Sequence, residues 1–315
     1  MMKERLIISV SPHQKEKVNS TKVMRGVTCA LIPAVIASIY YFRLRAFLLI
    51  LVCIAGTVLT EAIFQKLRRK SVTVYDGSAV LTGLLLALIL PPTLPLWAGF
   101  LGAVMAIVLG KQLFGGLGHN IFNPALIGRA FLMASFPVML TTWIKPGFFD
   151  AVSTATPLAM MKFSHNITPT IELFLGNTAG SLGETCAVAL IIGGLFLIIK
   201  KYMDWRIPLT YLGTVFILSG ILYLINPAHF ATPWFHLFSG GLMLGALFMA
   251  TDPVTSPVTK KGRYIFGVGC GLIVILIRNW GGLPEGVMYS ILLMNAFTPL
   301  INRYTVPVQF GGGKK

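Results

Sequence analysis

The chain has 315 residues, of which 55% are hydrophobic and only 11% charged, with a formal net charge of +16. Its mean hydropathy is +0.78. Soluble domains run nearer one-quarter charged, so a water-soluble enzyme is excluded. A nucleic-acid-binding domain is excluded too, despite the basic balance, because the charges fall between apolar runs of about the 20 residues a bilayer crossing needs.

The first residues, MMKERLIISVSPHQKEKVNSTKVMRG, are polar and basic without an apolar core, so no cleaved signal peptide is expected there and the first membrane helix is predicted near Val23. From that point ten spans are predicted, roughly 23 to 42, 46 to 64, 78 to 96, 98 to 114, 123 to 142, 182 to 199, 208 to 226, 237 to 251, 264 to 278 and 285 to 301. With the amino terminus in the cytoplasm, 20 of the 26 Lys and Arg residues fall in inside segments, Lys111 among them. Arg43, Arg45, Lys145, Lys162 and Arg278 fall outside, and Arg129 lies within a span, which is the asymmetry of the positive-inside rule. The expected organisation is a cytoplasmic segment 1–22, a first five-helix repeat 23–142, an extracytoplasmic loop 143–181, a second five-helix repeat 182–301 and a cytoplasmic tail 302–315. Cys29, Cys53, Cys186 and Cys270 stand singly in different spans without metal or disulfide spacing, and read as small apolar residues.

The two halves share a pattern. GLLLALILPPTLP, from Gly83, aligns with GALFMATDPVTSP, from Gly245, so that Pro91 and Pro95 match Pro253 and Pro257. An odd number of spans per half makes such copies inverted, with breaks in corresponding helices at a binding site. The unpaired backbone groups of a broken helix are tolerated at membrane depth only beside protein or a polar cavity.

Charged residues within spans are costly and mark function. Glu61, Arg129, Asp252 and Glu285 qualify, although Glu61 and Glu285 also suit a plain packing pair. Asp252, in the broken segment ATDPVTSP, is placed where loose carbonyls and a carboxylate can handle a cation or proton. In GGLGHNIFNPALIGRAF, residues 115 to 131, Asn120 and Asn123 supply amide donors and acceptors on one edge, as a heterocycle such as isoalloxazine requires. The same Asn123 followed by Pro124 also reads as a helix cap and first turn. No P-loop, dinucleotide fingerprint, metal constellation or nucleophile triad is present in the sequence.

The longest non-apolar interval holds DAVSTATPLAMMK, residues 150 to 162, a cluster of hydroxyls with one acid and one lysine. Together with SPH (Ser11 to His13), DGSAVLTGLLLALILPP (Asp76 to Pro92), GHNIFNPALIGRAF, STATPL and ATDPVTSP, it resembles the D subunits of Rnf complexes. That family is similar to the B subunit of the sodium-pumping NADH:quinone reductase. The likeness runs over nearly all of residues 6 to 304.

The resemblance implies an all-α integral membrane fold of ten helices in two inverted five-helix repeats, like that of urea channels. It implies a prokaryotic inner-membrane location, with both termini cytoplasmic. It also implies that a threonine outside the membrane carries FMN through a phosphoester bond. The attaching flavin transferase reads Asp, two residues, Ser or Thr, a small residue, then Ala-Thr, a pattern that Asp150, Ser153, Ala155 and Thr156 occupy here. Thr154 stands where the family usually has glycine, which leaves a second hydroxyl beside the first. Pro157 follows the acceptor and biases Thr156 toward an extended backbone. Further implied are a noncovalent riboflavin, with Asn120, Asn123 and Arg129 among the cofactor residues, and ion coupling through Asp252 and Glu61. The implied partners are the other Rnf subunits (A, B, C, E and G), a flavin transferase and membrane lipid, with no nucleic acid. The implied function is electron relay in a ferredoxin:NAD oxidoreductase that moves Na+ or H+. Two rivals are a small-solute channel or carrier of the same fold, which has no use for STATPL, and a passive scaffold, which has no use for buried charges.

Overall fold

The computed structural model describes residues 19–146, 154–164, 166–176, 178–184, 186–227 and 229–307. Its elements in chain order are α1 (Ser20–Leu67), a short 3-10 turn (Val74–Asp76), α2 (Ser78–Ile89), and α3 (Leu96–Ile107), which runs on into a π segment (Val108–Gln112). Then come α4 (Pro124–Ser135), α5 (Pro137–Thr141), α6 (Pro157–Ser164), α7 (Thr170–Leu175), α8 (Ala187–Ile199) and α9 (Arg206–Ile225). The chain closes with α10 (Pro233–Phe238), α11 (Leu242–Leu244) leading into a second π segment (Gly245–Met249), α12 (Lys260–Trp280) and α13 (Val287–Thr305). No strand occurs among the described residues, where the only β-type pairing joins Trp143 to Thr154.

The distribution of polarity is inverted relative to a soluble protein. Glu61 and Lys111 are each 1% exposed and Arg129 5%, while Ile36 is 62% and Ile217 61% exposed. Such an apolar exterior would aggregate in water and suits lipid. Helices α1 and α9 are long and apolar enough to cross a membrane, while α2, α3 with its π segment, α4 and α8 are shorter apolar helices.

Spans 23–42 and 46–64 are the two parts of α1, joined across a kink at Arg43, whose φ of 51° and ψ of −134° break the helix between them. Span 123–142 is split between α4 and α5 at Phe136, where Pro137 cannot continue the hydrogen-bond ladder. Spans 78–96 and 237–251 are interrupted by breaks, as their prolines predict. At about 1.5 Å per residue, the 12 residues of α2 reach only about 18 Å, short of the roughly 30 Å hydrocarbon core.

Local chemistry explains where these helices start and stop. Asp76 Oδ1 accepts from the backbone N–H of Ser78 (2.7 Å) and from its hydroxyl (2.6 Å), opening α2. Leu90 is extended ahead of Pro91 and Pro92, which closes it. The freed carbonyls are claimed from the other half of the chain, since Gly183 N donates to Leu88 O (2.6 Å) and Leu182 N to Leu90 O (3.1 Å). The second break is satisfied reciprocally, because Asn123 Nδ2 donates to Met249 O (3.3 Å) at the end of the second π segment. Each half thus caps the other's broken helix.

Helix α2 is pressed onto α1 at Gly83, where a Cβ would stand 2.7 Å from Ile54 Cα and 2.8 Å from the Cys53 carbonyl. Only glycine permits that approach. Cys53 and Cys270 are buried and, like Cys29 and Cys186, are free thiols.

Candidate functional site

Two cavities open at opposite ends of this helix assembly, and they share no lining residue. The first, here called the loop cavity, holds about 790 Å³ of empty space counted to its mouth. Its lining includes Arg129 of α4, Thr156, Pro157 and Leu158 at the start of α6, Glu184, Gly240 and Glu285. The second, the break cavity, holds about 720 Å³ and is lined by residues that include Ser78, Lys111, Asn120, Asn123 and Asp252.

In the loop cavity, Thr156 is the N-cap of α6. Its Oγ1 accepts from Ala159 N (3.3 Å) and its carbonyl from Met160 N (2.9 Å). Pro157 takes the first helical position, where its missing N–H costs nothing. Thr154 is placed differently. Its backbone N–H donates to Trp143 O (2.9 Å), and it is exposed over an adjoining, more open depression lined also by Lys145 and Glu172, which shares Pro157, Thr178 and Ala179 with the loop cavity. Ala155 is exposed, and Asp150 and Ser153 lie outside the described residues.

The floor of the loop cavity is charged but balanced. Arg129 Nη2 binds Glu285 Oε2 at 2.8 Å, and Glu285 Oε1 accepts from Gly241 N at 2.7 Å. Glu184 Oε2 accepts from Ser181 N at 2.6 Å. Behind Gly240, which has a φ of +70°, lies Arg278. Arg278 is 1% exposed and donates to His236 O (2.5 Å) and Ser239 O (2.9 Å), satisfying the backbone between α10 and α11. Lys162, at the far end of α6, donates to Ile277 O (3.0 Å), Leu283 O (3.0 Å) and Gly281 O at the end of α12.

The break cavity is bounded by both π segments. This rare geometry is concentrated at functional sites, and here it brings Gly110 against the backbone of Pro124 and aims the Met249 carbonyl at Asn123. Asn123 is largely spent on structure, since its Oδ1 accepts from Ala125 N (3.1 Å) and Leu126 N (3.4 Å) while its Nδ2 serves Met249. Asn120 is not. Its Nδ2 donates to Phe122 O (3.3 Å), but its buried Oδ1 has no hydrogen-bond partner. A buried unmade acceptor costs about 1 to 3 kcal/mol, so this atom points to a ligand that donates. An amide or imide N–H on a planar heterocycle has that chemistry, and the apolar walls around it suit a ring.

The predicted ion-coupling residues separate. Glu61 is held by Lys111 Nζ at 2.7 and 2.8 Å, by Gln65 Nε2 at 3.1 Å and by Gln112 Nε2 at 3.2 Å, and Lys111 also donates to Ser78 Oγ at 2.6 Å. Asp252 has no ion-pair partner among the described residues, and it accepts from Thr255 Oγ1 (3.1 Å) and Val254 N (3.4 Å). Sequence reasoning placed Lys111 among the cytoplasmic charges and Arg278 among the outer ones, yet both are buried. It also passed over Glu184. Both met the criterion of a charge within a span, Lys111 inside 98–114 and Glu184 just inside 182–199.

The NQR2, RnfD, RnfE family matches residues 7–311. The chain belongs to this family. It is 47% identical, over 96% of its own length and 96% of the other's, to the D subunit of the proton-translocating ferredoxin:NAD(+) oxidoreductase complex of Clostridium ljungdahlii. It is 48% identical, over 95% of its length and 93% of the other's, to the D subunit of the Na(+)-translocating ferredoxin:NAD(+) oxidoreductase complex of Acetobacterium woodii. The D subunit of the ion-translocating oxidoreductase complex of Shigella boydii is 39% identical over 98% of this chain and 99% of its own. These family members are named as subunits of redox-driven ion translocases. Two of them, nearly equal in likeness to this chain, carry different cations in their names, so overall identity does not select the ion.

Proposed function

We propose that this chain is the flavin-carrying membrane subunit of an ion-translocating ferredoxin:NAD oxidoreductase, with FMN esterified through its phosphate to Thr156 Oγ and a noncovalent riboflavin in the break cavity. The reading is supported above all by the placement of the two threonines: Thr156 lines the mostly apolar loop cavity, while Thr154 lines only an adjoining depression that shares Pro157, Thr178 and Ala179 with it, and its backbone is engaged with Trp143. Bound flavin supplies the one- and two-electron chemistry that no side chain here provides. The chain positions it. Thr156 would supply the oxygen that carries the phosphoester, and Pro157 fixes the backbone beside it. Arg129, held by Glu285, offers the remaining N–H donors to polar edges, and the apolar walls exclude water. In the break cavity, Asn120 Oδ1 accepts from the ring of the second flavin and Asn123 shapes the wall as the cap of α4. Asp252, in the same cavity and without a cation partner, is the residue proposed to couple ion movement. Glu61, locked to Lys111, is the secondary candidate.

This reading carries with it ten crossings in two inverted repeats, both termini in the cytoplasm and the α6 loop outside. Asp150 and Ser153 serve as recognition residues for a flavin transferase, and the other Rnf subunits are the partners. Peptide mass analysis of protein made with its transferase tests the central claim, with one FMN-phosphate adduct expected within residues 154 to 162, lost in Thr156→Ala. An adduct surviving that substitution moves the site, and no adduct at all revives the channel reading. Cysteines placed at Ser164 and Lys261 are expected to label from opposite sides of the membrane, and labelling from one side defeats the ten-span topology.

A further inference from the structure

We infer that Lys162 is the residue that positions Thr156 over the loop cavity, by fastening the wall that carries the threonine to the wall that carries Glu285. The inference rests on Thr156 being the flavin carrier. Helix α6 has eight residues, too few to be stable by itself, so its place depends on what holds it. Its start is tied by the Trp143–Thr154 bridge. Its underside packs Leu158 and Met161 into a small apolar cluster with Leu173, Ala231 and Phe235. Its far end is held by Lys162.

The ammonium has three N–H groups, and each meets a carbonyl, from Ile277, Gly281 and Leu283. Ile277 O, which also accepts from Gly281 N, and Gly281 O lie at the end of α12 where the helix dipole favours a cation, and Leu283 O lies in the turn that follows. Leu283 leads directly through Pro284 to Glu285, and all three line the loop cavity across from Thr156, Pro157 and Leu158. One side chain therefore sets the distance between two walls that contribute the tether and the carboxylate holding Arg129. A surface lysine has no need to converge on three carbonyls. The arrangement is that of a strut across the mouth of a site.

The test uses the purified complex made with its flavin transferase, comparing wild type with Lys162→Met, Lys162→Gln and Lys162→Arg. Three readings are taken: adduct mass, iodide quenching of the covalent flavin's fluorescence, and hydrogen exchange of the amides from Met160 to Ser164. Lys162→Met is expected to keep the adduct, to raise quenching severalfold and to speed exchange about tenfold, as loss of charge-assisted hydrogen bonds implies. Lys162→Arg is expected to restore both. If Lys162→Met does not accumulate, Lys162→Gln serves in its place, with quenching up about twofold for a weaker, neutral donor. Unchanged quenching in a variant that carries the adduct overturns the inference. A wild-type chain without adduct defeats the flavin reading instead, and the strut is then judged on exchange alone, with unchanged exchange refuting it.

Discussion

The two cavities are alike in size and opposite in construction. The loop cavity is assembled from helix ends and a short helix, with Arg129 paired to Glu285, and its most pointed feature is a single hydroxyl at its mouth. The break cavity is cut into the helices themselves, between two π segments, and its distinguishing feature is an acceptor without a donor. A tethered ligand is held at high local concentration by its bond and needs few directed contacts. An untethered one needs polar anchors within a preformed cleft. The contrast between Thr156 and Asn120 follows that division.

Thr156→Ala is expected to abolish the covalent adduct outright while leaving noncovalent flavin at its wild-type level, and Thr154→Ala to change neither, both read by mass and by flavin extraction. Loss of both flavins in Thr156→Ala would mean that the cavities are not independent. On the other side, Lys111→Met leaves Glu61 buried and unpaired, for which about 3 to 5 kcal/mol of destabilisation is expected. The double variant with Glu61→Gln should recover most of it in a thermal melt in detergent, and no recovery would show that Lys111 acts on something other than Glu61. Asn120→Leu is expected to weaken noncovalent flavin by about 10- to 100-fold, equivalent to the roughly 1 to 3 kcal/mol of an unpaired polar group. Asn123→Leu instead costs about 0.5 to 2 kcal/mol of helix stability through the lost cap. Equal flavin loss in the two would erase the distinction drawn between the asparagines.

Asp252→Asn should leave both flavins in place and depress ion-dependent turnover, and loss of flavin would make the residue structural. The smallest effect lies outside both cavities, at Asp204 between α9 and α12. Burial pushes its carboxyl up, but hydrogen bonds from the Arg206 backbone and the Arg263 guanidinium, with the neighbouring Arg206 charge, outweigh burial and hold it below its ordinary value. Its contribution is full above the unfolded pKa of about 3.9 and is lost as pH falls through the lower folded value. For such a partly exposed group Asp204→Asn should cost under about 1 kcal/mol at neutral pH, less as salt rises.

Much of this was legible in the chain, for physical reasons particular to each element. Pro91 and Pro253 announced the breaks because proline removes a donor and bars the preceding residue from helix. Asn123-Pro124, Thr156-Pro157 and Thr232-Pro233 each mark a helix start, as the structure has them. Helical pattern alone did not show that Pro137 splits α4 from α5, since a proline in a membrane helix is often absorbed by neighbouring helices. Nor did it give the pairing of Glu61 with Lys111 or of Arg129 with Glu285. Those contacts join residues 50 and 156 positions apart, and no local periodicity encodes them. The separation of Arg129 from the two asparagines, six to nine positions away in sequence, arises because α4 runs from one cavity toward the other.

The Glu61–Lys111 pair also constrains how the protein is made. At roughly 5 to 20 residues per second, about 2.5 to 10 s pass between synthesis of the acid and synthesis of its cation. During that interval the later part of α1 carries a carboxylate with no counterion, and a lone charge at mid-bilayer costs a few kcal/mol. Insertion of α1 carries that cost until Lys111 emerges to pair with the acid.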